Sequence, residues 1–291
     1  MPSLNLVIIQ LFHGLVLGGM LALVSSGLTI ILGTLGLVNF AHAALFTFGA
    51  YAGLMVFEST RSFVLALIAG AVITCLLGIV LERLLIRRFY LRPHEDQILM
   101  TFGLGIVIVE ALRAGFGGLG RTMPTPAWGS GIVRMADLVY PLYRLEIFII
   151  AAIALLIFYL VLFHSRLGLI VRAAIEDTTM VRILGLRASR IRMIVFGVGV
   201  LAAGLAGIVL GPILSIYPDM GLRFMVQSFV VVVIGGLGSF VGAIVGGFIA
   251  GEILTMTALF NTAYSDAMLF VAMVAILVFR PRGLFGTEGR L

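Results

Sequence analysis

The sequence contains no lysine and one cysteine, and only 11% of its residues are charged. Each shortage removes a class of function. All 19 basic residues are arginine. A P-loop needs a lysine to reach the nucleotide phosphates, so the chain does not hydrolyse ATP by that route. One thiol, Cys75, permits neither an internal disulfide nor a thiolate metal cluster. It lies in an apolar run and reads as a small core residue. The four histidines, His13, His42, His94 and His164, are scattered, with no H-E-x-x-H pair. No serine sits in the G-x-S-x-G turn of a nucleophile elbow. His94, Glu95 and Asp96 adjoin, but neighbours in a helix cannot all converge on one ion, and they read as a solvated loop. Neither a catalytic constellation nor a metal site is expected.

What is present is apolar. Hydrophobic residues make up 62% of the chain and the mean hydropathy is +1.22, where a soluble domain is about half apolar and a quarter charged. Apolar runs of about 20 residues recur along the whole length. The expectation is an all-α integral membrane protein in a single domain, 1–291. It is a polytopic bundle of about eight principal spans with short broken helices between them. The net charge of +6 sits beside the apolar runs and reads as topology rather than as nucleic-acid affinity.

In order, Leu4 to Leu32 is apolar and punctuated by Gly14, Gly18, Gly19 and Gly27, either one long tilted helix or a helix with a short continuation. Its start, MPSLNL, lacks the basic segment of a cleaved signal and is expected to remain. Gly36 to Phe57 follows as a span with Asn39 and His42 three apart on one face. Polar side chains in a bilayer are costly; these two either bond to a neighbouring helix or line a pathway. Ser62 to Ile86 ends among Arg83, Arg87, Arg88 and Arg92, a cytoplasmic marker. Ile98 to Ala114 crosses back, with Glu110 near Arg113. Residues 115–144, rich in Gly and Pro and holding Trp128, form the main external loop. Within it Val133 to Val139 is either a strand or a surface helix, and Trp128, Tyr140 and Tyr143 suit an interfacial belt.

Ile147 to Phe163 returns to a loop, 164–192, with the densest arginine run of the chain, which places it in the cytoplasm. It contains RAAIEDTTMVRILGLRASRIR, where Glu176 and Asp177 suit the start of a helix. Met180, Ile183 and Leu184 share a face, and Gly185 suits the end. That describes a freestanding amphipathic helix, which either lies in the headgroups or offers its stripe to a partner. Ile194 to Ile213 crosses outward. Phe224 to Gly236 is apolar but short, and Gly235, Gly236 and Gly238 should break the helix there, which at membrane depth requires burial or a cavity. Gly242, Gly246, Gly247 and Gly251 then form a close-packing face. Glu252 either faces the pathway or sits at an interface. Ala267 to Phe279 is the last span, and Arg280 and Arg282 place the C-terminus in the cytoplasm. Gly14 to Gly53 and Gly197 to Gly251 echo one another, each running from a Gly-rich span through a break into a small-residue span.

The runs NFAHAALFTFGAYAG, GLAGIVLGPILSIYPDMG and GGLGSFVGAIVGGFIAGEI, with the arginine-rich stretch above, resemble the LivH-type permeases of branched-chain amino acid ABC importers over essentially the whole chain. The resemblance implies an inner-membrane subunit without cofactors, paired with a second, LivM-type permease. Two cytoplasmic ATPases, which bind the ATP, and a periplasmic substrate-binding protein complete the system. It further implies that Glu176 to Gly185 is the coupling helix docking on an ATPase, through Met180, Ile183 and Leu184, with Glu176, Asp177 and Arg182 around them. The family's signature glycine would fall on Gly185, although IEDTTMVRILG lacks its literal EAA. Substrate choice in such systems rests largely on the binding protein, so urea, amides or other amino acids are the alternative cargo. An ion-coupled transporter would need intramembrane acids or His relays, and Asn39, His42 and Glu252 are few for that role.

Overall fold

The computed structural model describes residues 4–135, 138–176 and 187–286. The regular structure of the described residues is helical apart from one hairpin. The helices are α1 (Leu4–Leu35), α2 (His42–Thr60), α3 (Phe63–Leu84), α4 (His94–Phe116), α5 (Leu142–His164), α6 (Arg166–Glu176), α7 (Ala188–Leu210), α8 (Gly221–Gly235), α9 (Phe240–Phe260) and α10 (Ser265–Phe279). The hairpin pairs β1 (Ile132–Met135) antiparallel with β2 (Leu138–Pro141), Val133 opposite Tyr140. The strand alternative for this stretch is therefore the one adopted.

Among the described residues, seven helical segments are long and apolar enough to cross a bilayer, against about eight expected; the 19-residue α2 and the 15-residue α8 are not among them. Burial separates an inner from an outer set. The apolar windows of α1 and α7 are 83% and 72% buried, against 28% or less for α3, α4, α5 and α10. With no solvent-driven burial inside a bilayer, helices associate where small residues let backbones approach, and glycines are densest in the inner set. A Cβ on Gly49 of α2 would stand 2.3 Å from the Cα of Gly204 in α7, and one on Gly251 of α9 would stand 2.4 Å from the carbonyl of Gly14 in α1. The two echoing segments thus pack on each other glycine to glycine.

Side-chain contacts fix which helix ends share a face. His13, early in α1, lies 2.8 Å from the Tyr140 hydroxyl of the hairpin and 2.9 Å from Arg144 of α5. Burial pushes the Tyr140 phenol above its ordinary range, so it holds its proton here. The end of α4 joins the start of α8 through Arg113, which pairs with Glu110, as expected, and with Asp219 at 2.6 Å. Phe63, opening α3, packs on Trp128. Together these define a hairpin face. The opposite face gathers the arginine-rich ends of α3, α5, α7 and α10. The start of α1 belongs to the hairpin face, and α8 runs from that face to the arginine face.

α8 ends as expected at Gly235. Gly236 (φ 104°) and Gly238 (φ 81°) take left-handed conformations that favour glycine, and Ser239 caps α9 by accepting from the Gly242 N–H (3.0 Å). The carbonyls left over at the end of α8 are met by the chain's own last segment: Leu284 N–H bonds Ile234 and Phe285 N–H bonds Gly235, each at 2.9 Å. The break therefore sits on the arginine face, sealed by backbone.

Three expectations are corrected. α2 starts at His42 rather than Gly36, because Gly36 (φ 62°) ends α1 by bonding Leu32 (2.9 Å). His94, Glu95 and Asp96 are exposed but helical, since acids in a first turn suit the helix dipole. Glu176 is the last described residue of α6 rather than lying ahead of a helix, and Ser165 starts that helix by accepting from the Gly168 N–H (3.0 Å).

Candidate functional site

The segment between α1 and α2 does not lie on a membrane face. His42 donates its Nε2–H to the carbonyl of Val24 (3.1 Å), eleven residues before the end of α1. At helical rise that is roughly 16 Å down the helix. Residues 37–41 therefore run back into the bundle as non-helical chain, and Leu37, Asn39 and Ala41 are fully buried. α4 holds this segment through Thr101, whose hydroxyl accepts from the Phe40 N–H (3.2 Å). α8 holds it through Phe229, stacked on Phe40 with centroids 5.1 Å apart. Non-helical chain at such depth is tolerated only inside protein or beside a cavity.

Around this segment the polar side chains of the inner helices meet. Ser25 of α1 reaches the carbonyl of Ser228 in α8 at 3.4 Å, which places α8 against the same turn of α1 that His42 touches. Asn39 is 0% exposed and His42 1%. Both amide atoms of Asn39, Nδ1 of His42, and the hydroxyls of Thr29 and Ser228 are buried without a partner among the described residues. Each such group costs about 1–3 kcal/mol. A fold that keeps several beside broken backbone holds hydrogen-bonding capacity in reserve for another occupant or another conformation. Asn39 and His42 were legible as candidates; Ser25, Thr29 and Ser228 were not. The one available signal was the S-S-x-x-T run inside an apolar helix.

Glu252 lies elsewhere. Its carboxyl covers Gly14, where a Cβ would stand 2.5 Å from it, and Gly14 is ten residues, roughly 15 Å, along α1 from Val24. Oε2 of Glu252 is buried without a partner. The structure thus brings Asn39 and His42 together and sets Glu252 apart, at the α1–α9 contact. Gly235, Gly236, Gly238, Gly242 and Gly246 also form no part of the polar cluster. Gly235, Gly242 and Gly246 seat α8 on α9: a Cβ on Gly235 would stand 2.2 Å from the Gly242 carbonyl, and one on Gly246 2.8 Å from that of Val231, whereas one on Gly236 would meet Gly286 of the C-terminal segment at 2.5 Å and one on Gly238 would meet Gly33 of α1 at 3.2 Å.

On the arginine face, α5 turns sharply into α6. Gly168 permits the corner, since a Cβ there would stand 2.1 Å from the Leu162 carbonyl. Arg172 donates to that carbonyl and lies over the Phe163 ring, 5.3 Å from its centroid. Val171 is buried against the bundle. α6 is thus anchored where the chain enters the expected coupling helix. Of that helix, Glu176 is the last residue of α6; Asp177, Met180, Arg182, Ile183, Leu184 and Gly185 lie outside the described residues.

A family model described as "Branched-chain amino acid transport system / permease component" matches residues 10–277. The chain is 28% identical to the high-affinity branched-chain amino acid transport system permease protein BraD of Pseudomonas aeruginosa, over 98% of both chains. It is 28% identical to the corresponding permease protein LivH of Escherichia coli K12, over 95% of this chain and 94% of that one. The ribose import permease protein RbsC of Escherichia coli K12 is 25% identical, over 88% of this chain and 80% of its own. No solved structure matches.

Proposed function

The chain belongs to the branched-chain amino acid transport system / permease component family, and from that membership we propose that it is one permease of an ATP-driven importer of leucine, isoleucine and valine in a bacterial inner membrane. It shares the pathway with a second, LivM-type permease. Two cytoplasmic ATPases bind and hydrolyse the ATP, and a periplasmic protein delivers the substrate. The arginine face is cytoplasmic, which puts the C-terminus inside and the start of α1 outside.

The observation that carries a transport pathway is the buried, non-helical segment at Asn39 and His42, with unpartnered polar atoms from three elements around it. Asn39 and His42 line the path; Glu252 stands apart from it, at the α1–α9 contact. The stroke enters through residues 176–185. Their apolar side chains Met180, Ile183 and Leu184 rest on an ATPase, and the anchored α6 passes the movement to α5 and the inner helices.

The test is uptake by proteoliposomes holding the chain with its partner permease, ATPases and binding protein. Leucine should accumulate only with ATP inside. Accumulation on a proton or sodium gradient without ATP overturns the reading. Because a ribose import permease is also similar along most of the chain, ribose, urea and short amides belong in the same panel; preference for one of them changes the cargo and leaves the machine. Met180→Asp and Gly185→Pro should each abolish uptake and substrate-stimulated ATP hydrolysis while the chain stays in the membrane. Normal coupling in both removes the assignment of residues 176–185.

A further inference from the structure

The last turns of α3 and the first turn of α7 enclose a pocket of about 350 Å³ on the arginine face, lined by Arg83, Arg87, Arg187, Arg190 and Glu82. All four guanidinium side chains belong to exposed residues, and none makes an ion pair among the described residues. The one carboxylate is already engaged: Glu82 is 1% exposed and accepts from the Tyr90 hydroxyl at 3.2 Å. Burial, and the neighbouring Glu82 charge after it, push the Tyr90 phenol well above its ordinary range, so it remains the donor of that pair.

The local field is unbalanced in one direction. A helix N-terminus carries partial positive charge and favours acids, yet the first turn of α7 has none. Arg187 stands at its cap with no side-chain cap bond, and Arg190 and Arg192 follow within two turns. Four like charges around one pocket repel each other, and an anion placed among them relieves the repulsion.

A second feature meets the pocket and says what kind of anion fits. Leu65, Ile68, Val72, Leu76, Val80 and Leu84 are each between 46% and 60% exposed. Their spacing of three and four residues puts them on one face of α3. This apolar stripe runs the length of the helix and ends at Arg83 and Arg87. We propose that the pocket binds the phosphate headgroup of an anionic phospholipid whose acyl chains lie along the α3 stripe. Guanidinium forks match phosphate oxygens two at a time. A choline headgroup would set its own cation among the four arginines, so the site discriminates against the zwitterionic lipid. A free phosphate ion would use the pocket and leave the stripe unused. The inference rests on the chain spanning a membrane and not on its cargo or its motor.

The experiment is native mass spectrometry of the chain purified with its partner subunits from nanodiscs of phosphatidylcholine mixed equally with phosphatidylglycerol. The wild type should retain phosphatidylglycerol in preference to phosphatidylcholine. Arg83→Gln with Arg187→Gln should lower that preference on the order of thirtyfold, given the usual worth of an arginine at an anionic surface. Arg88→Gln with Arg92→Gln removes the same charge from exposed positions outside the pocket and should change little. Should the first pair not yield folded protein, Arg190→Gln alone carries the same test. The proposal is overturned by equal retention of the two lipids in the wild type, or by equal losses in both variant pairs. Displacement of the lipid by millimolar inorganic phosphate, or a pocket variant that keeps its lipid but sheds an ATPase subunit, overturns it too.

Discussion

Replacing Asn39 with leucine should make the protein more heat-stable and inactive. Asn39 is fully buried, and neither its amide nitrogen nor its amide oxygen has a partner among the described residues. An unsatisfied polar group of this kind costs about 1–3 kcal/mol, and two of them are removed together. Leucine branches at the same atom but is bulkier, because two methyl groups replace the planar amide, and overpacking costs about 1–3 kcal/mol in return. The net gain is on the order of 1–3 kcal/mol, which in a chain of this size raises the melting temperature by a few degrees. A thiol-reactive dye follows the melt directly, because Cys75 is the single cysteine and is half-buried in the bundle. Uptake in proteoliposomes is measured on the same preparation. If the amide serves passing substrate or a second conformation, stability rises and transport is lost. A variant that melts earlier and still transports would refute the reasoning, because Asn39 would then be an ordinary structural residue whose partners the fold supplies.

Gly49→Val should remove folded protein from the membrane, since the new Cβ meets the Gly204 Cα at 2.3 Å and backbone cannot yield as a flexible side chain would; fluorescence-detected size exclusion of a tagged chain reads this, and a normal profile would contradict the α2–α7 contact. Leu284→Pro removes the N–H that bonds the Ile234 carbonyl. Leaving that carbonyl unsatisfied should cost about 1–3 kcal/mol and raise protease cleavage near residues 280–286; an unchanged digestion pattern would show that the C-terminal segment does not seal α8.

The end of α8 at Gly235 and the Glu110–Arg113 pair were readable because each depends on neighbours in sequence; Val133 to Val139 was read only as a strand or a surface helix, and the pairing of two strands there came from the structure. Where prediction and structure part, the deciding contact is distant. Gly36 to Phe57 reads as one continuous apolar span, yet its first six residues are non-helical. Thr101 and Phe229, from two other helices, supply the anchors that make this affordable inside the bundle. Glu176 suits a helix start by charge alone, yet it lies within α6, which Ser165 and Gly168 start upstream of it. Asn39, His42 and Glu252 were all read in the sequence as pathway candidates, each with a helix contact or an interface as its alternative. Only the packing of α9 on Gly14 separates the third from the other two.

By itself, then, the sequence determined that this chain lives in a bilayer, that arginines mark one face, where glycines let helices touch or break, and which family it belongs to. Composition and local spacing act on each residue through its neighbours, and a bilayer enforces both strictly, since chain that crosses it unprotected must bond to itself. Tertiary structure alone decided that a stretch written as helix dips unwound into the bundle, that the C-terminal segment closes the end of α8, and that Ser25 and Ser228 meet beside the turn of α1 that His42 touches. Those outcomes depend on which partner lies within hydrogen-bond reach. Residues up to about two hundred positions apart settle that, and no local pattern records it.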